Sequence, residues 1–135
     1  MRPVEIHTWP FIVAVLIKFF VGWIWYSPVL FLKNWQTLSG ITNEQMSGGM
    51  GKSIAIWISG SLLMAFVLAH AVAYAGATTF VQGAEVGFAN WVGFILVVGL
   101  DAYAAEKKPF QLTIINTGGN LVALILMGGV LAGWQ

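Results

Sequence analysis

Six side chains in this sequence could do chemistry where water is scarce: Lys18, His70, Asn90, Asp101, Asn116 and Asn120. Each stands in or beside a long apolar run, where an ionisable or amide group is costly and marks a functional candidate by default. Lys18 makes the strongest demand, since about ten residues of helix carry it to the middle of a bilayer. Asp101 falls near the end of its run, too shallow to meet Lys18 without one of the two side chains snorkelling. Asn116 and Asn120 are four apart and share one helix face, with Thr117 and Gly119 beside them to allow a close neighbour. His70 titrates near neutrality when exposed, so it could relay a proton or simply bond to a neighbour. Taken together, Lys18, His70, Asn90, Asn116 and Asn120 predict a polar track through a helix bundle that could bind a small solute, an ion or a lipid head group. The plainer reading is that these groups hold helices together by hydrogen bonds.

Other chemistry finds less support. GGMGKS at 48–53 resembles a phosphate-binding loop, but Met46 stands where the pattern requires glycine and no strand precedes it. Ser27, His70 and Asp101 could be written as a hydrolytic triad, without the strained nucleophile turn such sites use. There is no cysteine, and His7 and His70 are far apart, so the sequence offers no metal-ligand spacing and no thiol chemistry. No cofactor and no enzymatic activity are expected. A formal net charge of +1 provides no basic field for a phosphate backbone, which excludes nucleic acid as a partner.

The elements that must position these residues follow from composition. Of 135 residues, 59% are hydrophobic and 8% charged, with a mean hydropathy of +0.83. A soluble domain carries roughly 25% charged residues, and a polar surface cannot be built from six basic and five acidic side chains. The solvent for this chain is lipid. Crossing its hydrocarbon takes roughly 20 helical residues, and four stretches have that length, at about 9–27, 53–75, 85–104 and 111–134. The expected fold is therefore all-α, a single polytopic domain of four transmembrane helices. The first run lacks a small-residue cleavage site and is expected to remain as a span. Pro10 is tolerated in its first turn and Pro28 stops it. Leu30, Phe31, Trp35 and Leu38 fall on one helical face and Lys33, Asn34 and Thr37 on the other, which predicts an amphipathic helix at about 29–39 lying in the interface. The polar TNEQMSGGMGKS after it is expected to be a flexible loop.

Lys33, Lys52, Lys107 and Lys108 flank the first and third links, against Arg2 on the other side. That bias predicts cytoplasmic links and both termini outside. Ser61, Ala65, Ala69, Ala73 and Ala77 form a stripe at steps of four, and Gly83 with Gly87 and Gly129 with Gly133 repeat the spacing. Such faces admit close helix packing, within one chain or between copies of a homo-oligomer. Membrane lipids are the other expected partner.

The string GWIWYSPVLFLKNWQTLSGIT, with Trp25, Tyr26, Ser27 and Pro28 followed by Lys33 and Trp35, resembles the signature of a family of small bacterial membrane proteins known as domain of unknown function 1761. FANWVGFIL and PFQLTIINTGGNLVALILMGGVLAGW extend the likeness over most of the chain. The resemblance implies a four-helix membrane fold in a bacterial inner membrane and implies no activity. It also implies a Tyr-His pair where this chain has Gly119 and Asn120, so no histidine-dependent role carries over there. Two classes of function then compete: a binding or transport protein built around the intramembrane polar groups, and a non-catalytic structural or regulatory subunit.

Overall fold

The computed structural model describes residues 3–135, which are helical almost throughout and contain no strand. Arg2, the opposing charge in the orientation count, lies outside the described residues. Helix α1 spans Thr8–Trp25, followed by two short helices, α2 at Leu32–Ser39 and α3 at Asn43–Ser47. Helix α4 spans Met50–Tyr74. The next span runs over Phe80–Glu106 in three pieces: α5 at Phe80–Asn90, a π-helical segment at Trp91–Leu96, and α6 at Val97–Glu106. Helix α7, Phe110–Gly133, closes the chain. Four of these units are long and apolar enough to cross a membrane.

The ends of the spans have local causes. Pro10 falls in the first turn of α1, where its missing N–H leaves no bond unmade. The helix stops at Trp25, two residues short of the expected boundary, because the residue before Pro28 is biased out of the helical region and Ser27 Oγ donates to the Ile24 carbonyl at 2.6 Å. The third span starts at Phe80, five residues before the position expected from Glu85. Thr79 caps it by accepting from the Gln82 N–H, while Gln82 Oε1 accepts from the Thr78 N–H. The loop expected after α2 is instead partly helical. Thr42 and Gln45 form a reciprocal capping box that holds α3, and Gly49, at φ 70°, supplies the left-handed turn into α4.

Helix α7 is the centre of the bundle. Half of its apolar window is buried, against 11% for the windows of α1 and of the Phe80–Glu106 span. The core gathers Ala14 of α1, Ala65, Leu68 and Val72 of α4, and Ala123, Leu124 and Met127 of α7. The tightest seam joins α5 to α7 in antiparallel fashion. A side chain at Gly83 would collide with the Gly128 carbonyl, and one at Gly87 with the Leu124 carbonyl. In lipid, where no hydrophobic effect drives helices together, such backbone-to-backbone contact supplies the van der Waals energy of association. Gly129 and Gly133 close on Phe80, and Ser61, Ala65 and Ala69 are buried as well. These small-residue faces are thus occupied within one chain, apart from Ala73 of the α4 stripe, which is exposed. The large side chains that point outward, Phe20, Leu63, Val67, Phe94 and Val98 among them, make an outer surface suited to acyl chains and not to water.

Below the π-helical segment the third span loosens. Helix α6 has no buried residue, and a π turn in mid-span displaces the following residues relative to the α-helical register. Nothing in the spacing of WVGFIL announces that segment.

Candidate functional site

The end of α1 is pinned to α7 by the motif residues. The Trp25 ring lies over Gly118 and Gly119, where any side chain would press on it. Its Nε1–H donates to the Ile115 carbonyl at 2.7 Å. From the opposite flank, Trp91 Nε1–H donates to the Thr117 carbonyl at 2.8 Å. Two indoles thus clamp one short stretch of α7 from two neighbouring helices. Tyr26 follows with its hydroxyl donating to Asn116 Oδ1 at 3.0 Å. Phe31 packs on Trp25, with ring centroids 4.6 Å apart, and Trp35 of α2 meets Tyr26 edge-on at 5.8 Å.

This pinning leaves a cleft of about 670 Å³ between α1 and α4, with α2 at its mouth. Helix α1 supplies Lys18, Phe19, Gly22, Trp23 and Tyr26; α4 supplies Met50, Ile54, Trp57 and Ser61; α2 contributes Trp35 and α7 Asn116. Both long stripes follow from helical spacing: Lys18, Gly22 and Tyr26 succeed one another by four, and Met50, Ile54, Trp57 and Ser61 by three and four. From Met50 to Ser61 the cleft runs about 16 Å along α4 at 1.5 Å per residue. Beyond Ser61, α4 closes against the bundle through Ala65, Leu68, Ala69 and Val72. The cleft therefore opens at one end of the bundle and is closed by packing at its far end.

Lys18 is the one charged group in that lining, and it is partly buried. Among the described residues no carboxylate pairs with it; their one ion pair is the exposed Lys108–Glu106 contact at 4.0 Å. Its stem leaves α1 about 10 Å from the Trp25 end at 1.5 Å per residue, and Cα–Cβ bonds tilt toward the helix N-terminus, away from that end. Its stem starts among the apolar side chains Phe19, Trp23 and Trp57 of the same lining.

The other expected residues are not gathered there. His70 Nδ1 lies 2.8 Å from the Phe66 carbonyl, which can only accept, so that nitrogen carries the proton. Asn90 Nδ2 donates to the Val86 carbonyl at 2.8 Å, and Asn120 Nδ2 to the Asn116 carbonyl at 3.3 Å. Ser61 and Thr117 repeat the pattern on Trp57 and Thr113. In each case a polar side chain inside an apolar helix takes the carbonyl one turn back, the nearest acceptor available. The expected polar track is thereby divided: Lys18 and Asn116 share the cleft, Asn120 adjoins Asn116, and His70 and Asn90 belong to other places in the bundle. Asp101 is exposed on α6. His70 lies about 30 Å along α4 from the end where Ser27 sits, so the triad written from sequence is not assembled. No group of three His, Asp or Glu side chains suited to a metal occurs among the described residues. Sequence reasoning placed Ser61 only on a packing stripe and gave Trp23 and Trp57 no part in a site. Their common signal is the face they share with Lys18 across the two helices.

A family model described as Protein of unknown function (DUF1761) matches residues 9–132. The chain belongs to that family. The match takes in all four spans but for Thr8 and Gly133 at their outer ends, and every lining residue of the cleft. No curated protein and no solved structure matches the chain.

Proposed function

We propose that this DUF1761 protein is a small-molecule-binding membrane protein, with the α1/α4 cleft as its site. The observation that carries the reading is a cleft of about 670 Å³ that reaches an unpaired lysine at mid-span. That volume lies within the range of ligand sites, roughly 300–1,000 Å³, and its lining has the usual composition of an apolar wall with few polar groups. An unpaired charge at this depth is costly to keep, and a ligand that satisfies it gives a physical reason for its presence. Tyr26 and Asn116 add hydrogen-bonding capacity along the same wall. Binding is favoured over a static channel because α4 is packed shut beyond Ser61. The reading is non-catalytic, since the polar groups of the cleft include no nucleophile–base pair.

Gly22 supplies the test. A Cβ there has nothing within 4 Å of it, and Gly22 is a lining residue, so Gly22→Trp places an added ring on the cleft side of α1. Native mass spectrometry of protein released from lipid nanodiscs should find a small molecule retained one-to-one on the parent chain and lost from Gly22→Trp, with equal thermal stability. The same bound masses on both proteins, or none on either, would turn the account toward a structural or regulatory subunit.

We further place the links carrying Lys33, Lys52, Lys107 and Lys108 on the cytoplasmic side of a bacterial inner membrane, with both termini outside. The four lysines gather at one end of the bundle, the end at which the cleft opens, and short lysine-bearing links are retained inside. The chain has no cysteine, so a cysteine added after Gln135 is a clean reporter. It should react with a membrane-impermeant maleimide in intact cells; a reaction that required permeabilisation would invert the assignment.

A further inference from the structure

We infer that the cleft selects an amphiphile bearing a single negative charge, a long-chain carboxylate, whose head group meets Lys18 and whose tail lies along the aromatic wall. The inference rests on the ligand-binding reading above and names its substrate class.

Charge comes first. Lys18 is the one formal charge in the lining and among the described residues no carboxylate pairs with it, so one negative charge on the occupant completes the site. A dianion would leave a surplus charge in the same apolar surroundings, and a cation would add a second positive one. Neutralising one charge by one charge is the arrangement a low-dielectric site tolerates.

Shape comes second. Phe19, Trp23 and Trp57 line the cleft together with Lys18, and Trp23 and Trp57 are also 64% and 53% exposed. The wall of the cleft therefore merges with the lipid-facing surface, so an acyl tail can enter sideways from the bilayer. Depth separates this occupant from an intact phospholipid. Lys18 lies about 10 Å inside the Trp25 end of α1, beneath the level of interfacial phosphates. A carboxylate joined directly to its chain can be drawn down to that level, whereas a phosphodiester carrying two acyl chains and a polar head is held at the surface. Tyr26 and Asn116 lie between the mouth and Lys18 and already bond to each other at 3.0 Å, offering a polar step on the way in.

The test uses the whole chain in nanodiscs of zwitterionic lipid, and a long-chain carboxylate with a diazirine in the half of its chain nearer the carboxyl. Photolysis and peptide mapping should place saturable label on α1 and α4 around Trp23 and Ile54. Excess unlabelled carboxylate of the same length should reduce that label at least tenfold. The alcohol and the amine of equal length should leave it within twofold, and so should added phosphatidylglycerol. Lys18→Met should lose the label and Lys18→Arg should keep it, both folding as the parent does by circular dichroism. Competition by the alcohol equal to that by the carboxylate, or full labelling of Lys18→Met, would overturn the charge selection while leaving a ligand-binding cleft in place. Stronger competition by phosphatidylglycerol would overturn the carboxylate in favour of a lipid head group. Absence of saturable label anywhere on α1 and α4 would remove both this inference and the binding reading. Should Lys18→Met fail to fold, Gly22→Trp takes its place for site blockage, and the carboxylate-against-alcohol comparison on the parent chain still decides the charge.

Discussion

Gly83→Ala is expected to open the seam on which the bundle depends. The new methyl would overlap the Gly128 carbonyl and also meet the Ala132 Cβ at 2.6 Å. Neither neighbour can rotate away, one being backbone and the other a methyl fixed to a buried helix. To bring the methyl to the ~3.5 Å that a carbon contact needs, α5 and α7 must part by more than an ångström. A gap of ~0.5–1 Å already forfeits a quarter to a half of the dispersion well. Overpacking of this kind costs about 1–3 kcal/mol, and the immovable neighbours place Gly83 at the upper end. Alanine's better helix propensity returns up to ~1 kcal/mol, so the net loss is about 2 kcal/mol. Gly60→Ala is the matched control, because nothing lies within 4 Å of a side chain there, and it should be neutral or slightly stabilising. Unfolding of both variants in mixed dodecyl maltoside and dodecyl sulfate micelles, followed by tryptophan fluorescence, measures the difference. Equal midpoints for Gly83→Ala and Gly60→Ala would refute the seam.

Trp25→Phe removes the donor to Ile115 while leaving a ring over Gly118 and Gly119; because the carbonyl keeps its helical partner, the expected loss is about 1 kcal/mol, read in the same micelle assay. Tyr26→Phe deletes an exposed hydrogen bond to Asn116, so stability should change by less than ~0.5 kcal/mol, and a larger loss would mean that the contact holds α1 in place. Thr42→Ala breaks the capping box of α3 at a cost of about 1 kcal/mol, which hydrogen exchange should register as faster exchange confined to the segment joining α2 and α4.

Much of this fold is legible from the sequence for a simple physical reason. A chain that must pair its own backbone groups in hydrocarbon has to be helical, and apolar runs long enough to cross announce where. The amphipathic pattern of Leu30, Phe31, Trp35 and Leu38 against Lys33, Asn34 and Thr37 likewise foretells α2, although the helix itself begins only at Leu32. The letters TNEQ carry the Thr42–Gln45 capping box, a short-range signal that the polar, glycine-rich composition of the stretch masks. The candidate site is less legible. Lys18, Gly22 and Tyr26 share a face by their spacing, as do Ile54, Trp57 and Ser61, yet no rule of spacing says that these two faces turn toward each other. That pairing is fixed elsewhere, by Trp25 seated on Gly118 and Gly119 and by the glycine seam that sets α5 against α7. The polar side chains mislead for a related reason. An asparagine at membrane depth looks unsatisfied in sequence, but Asn90 and Asn120 each find a carbonyl one turn back on their own helix. The stripe through Ser61, Ala65 and Ala69 is equally compatible with contact within the chain or between copies, and only tertiary structure shows it buried.

The claim at the centre of this account is that the space beside Lys18 is a site and not a packing gap. An experimental structure of the protein in lipid nanodiscs tests it most directly. The account predicts an open cleft between α1 and α4 containing elongated density that ends within hydrogen-bonding distance of Lys18 Nζ. Closure of α4 onto α1 with no room beside the amine, or an ammonium turned out to the interface from an empty gap, would contradict it.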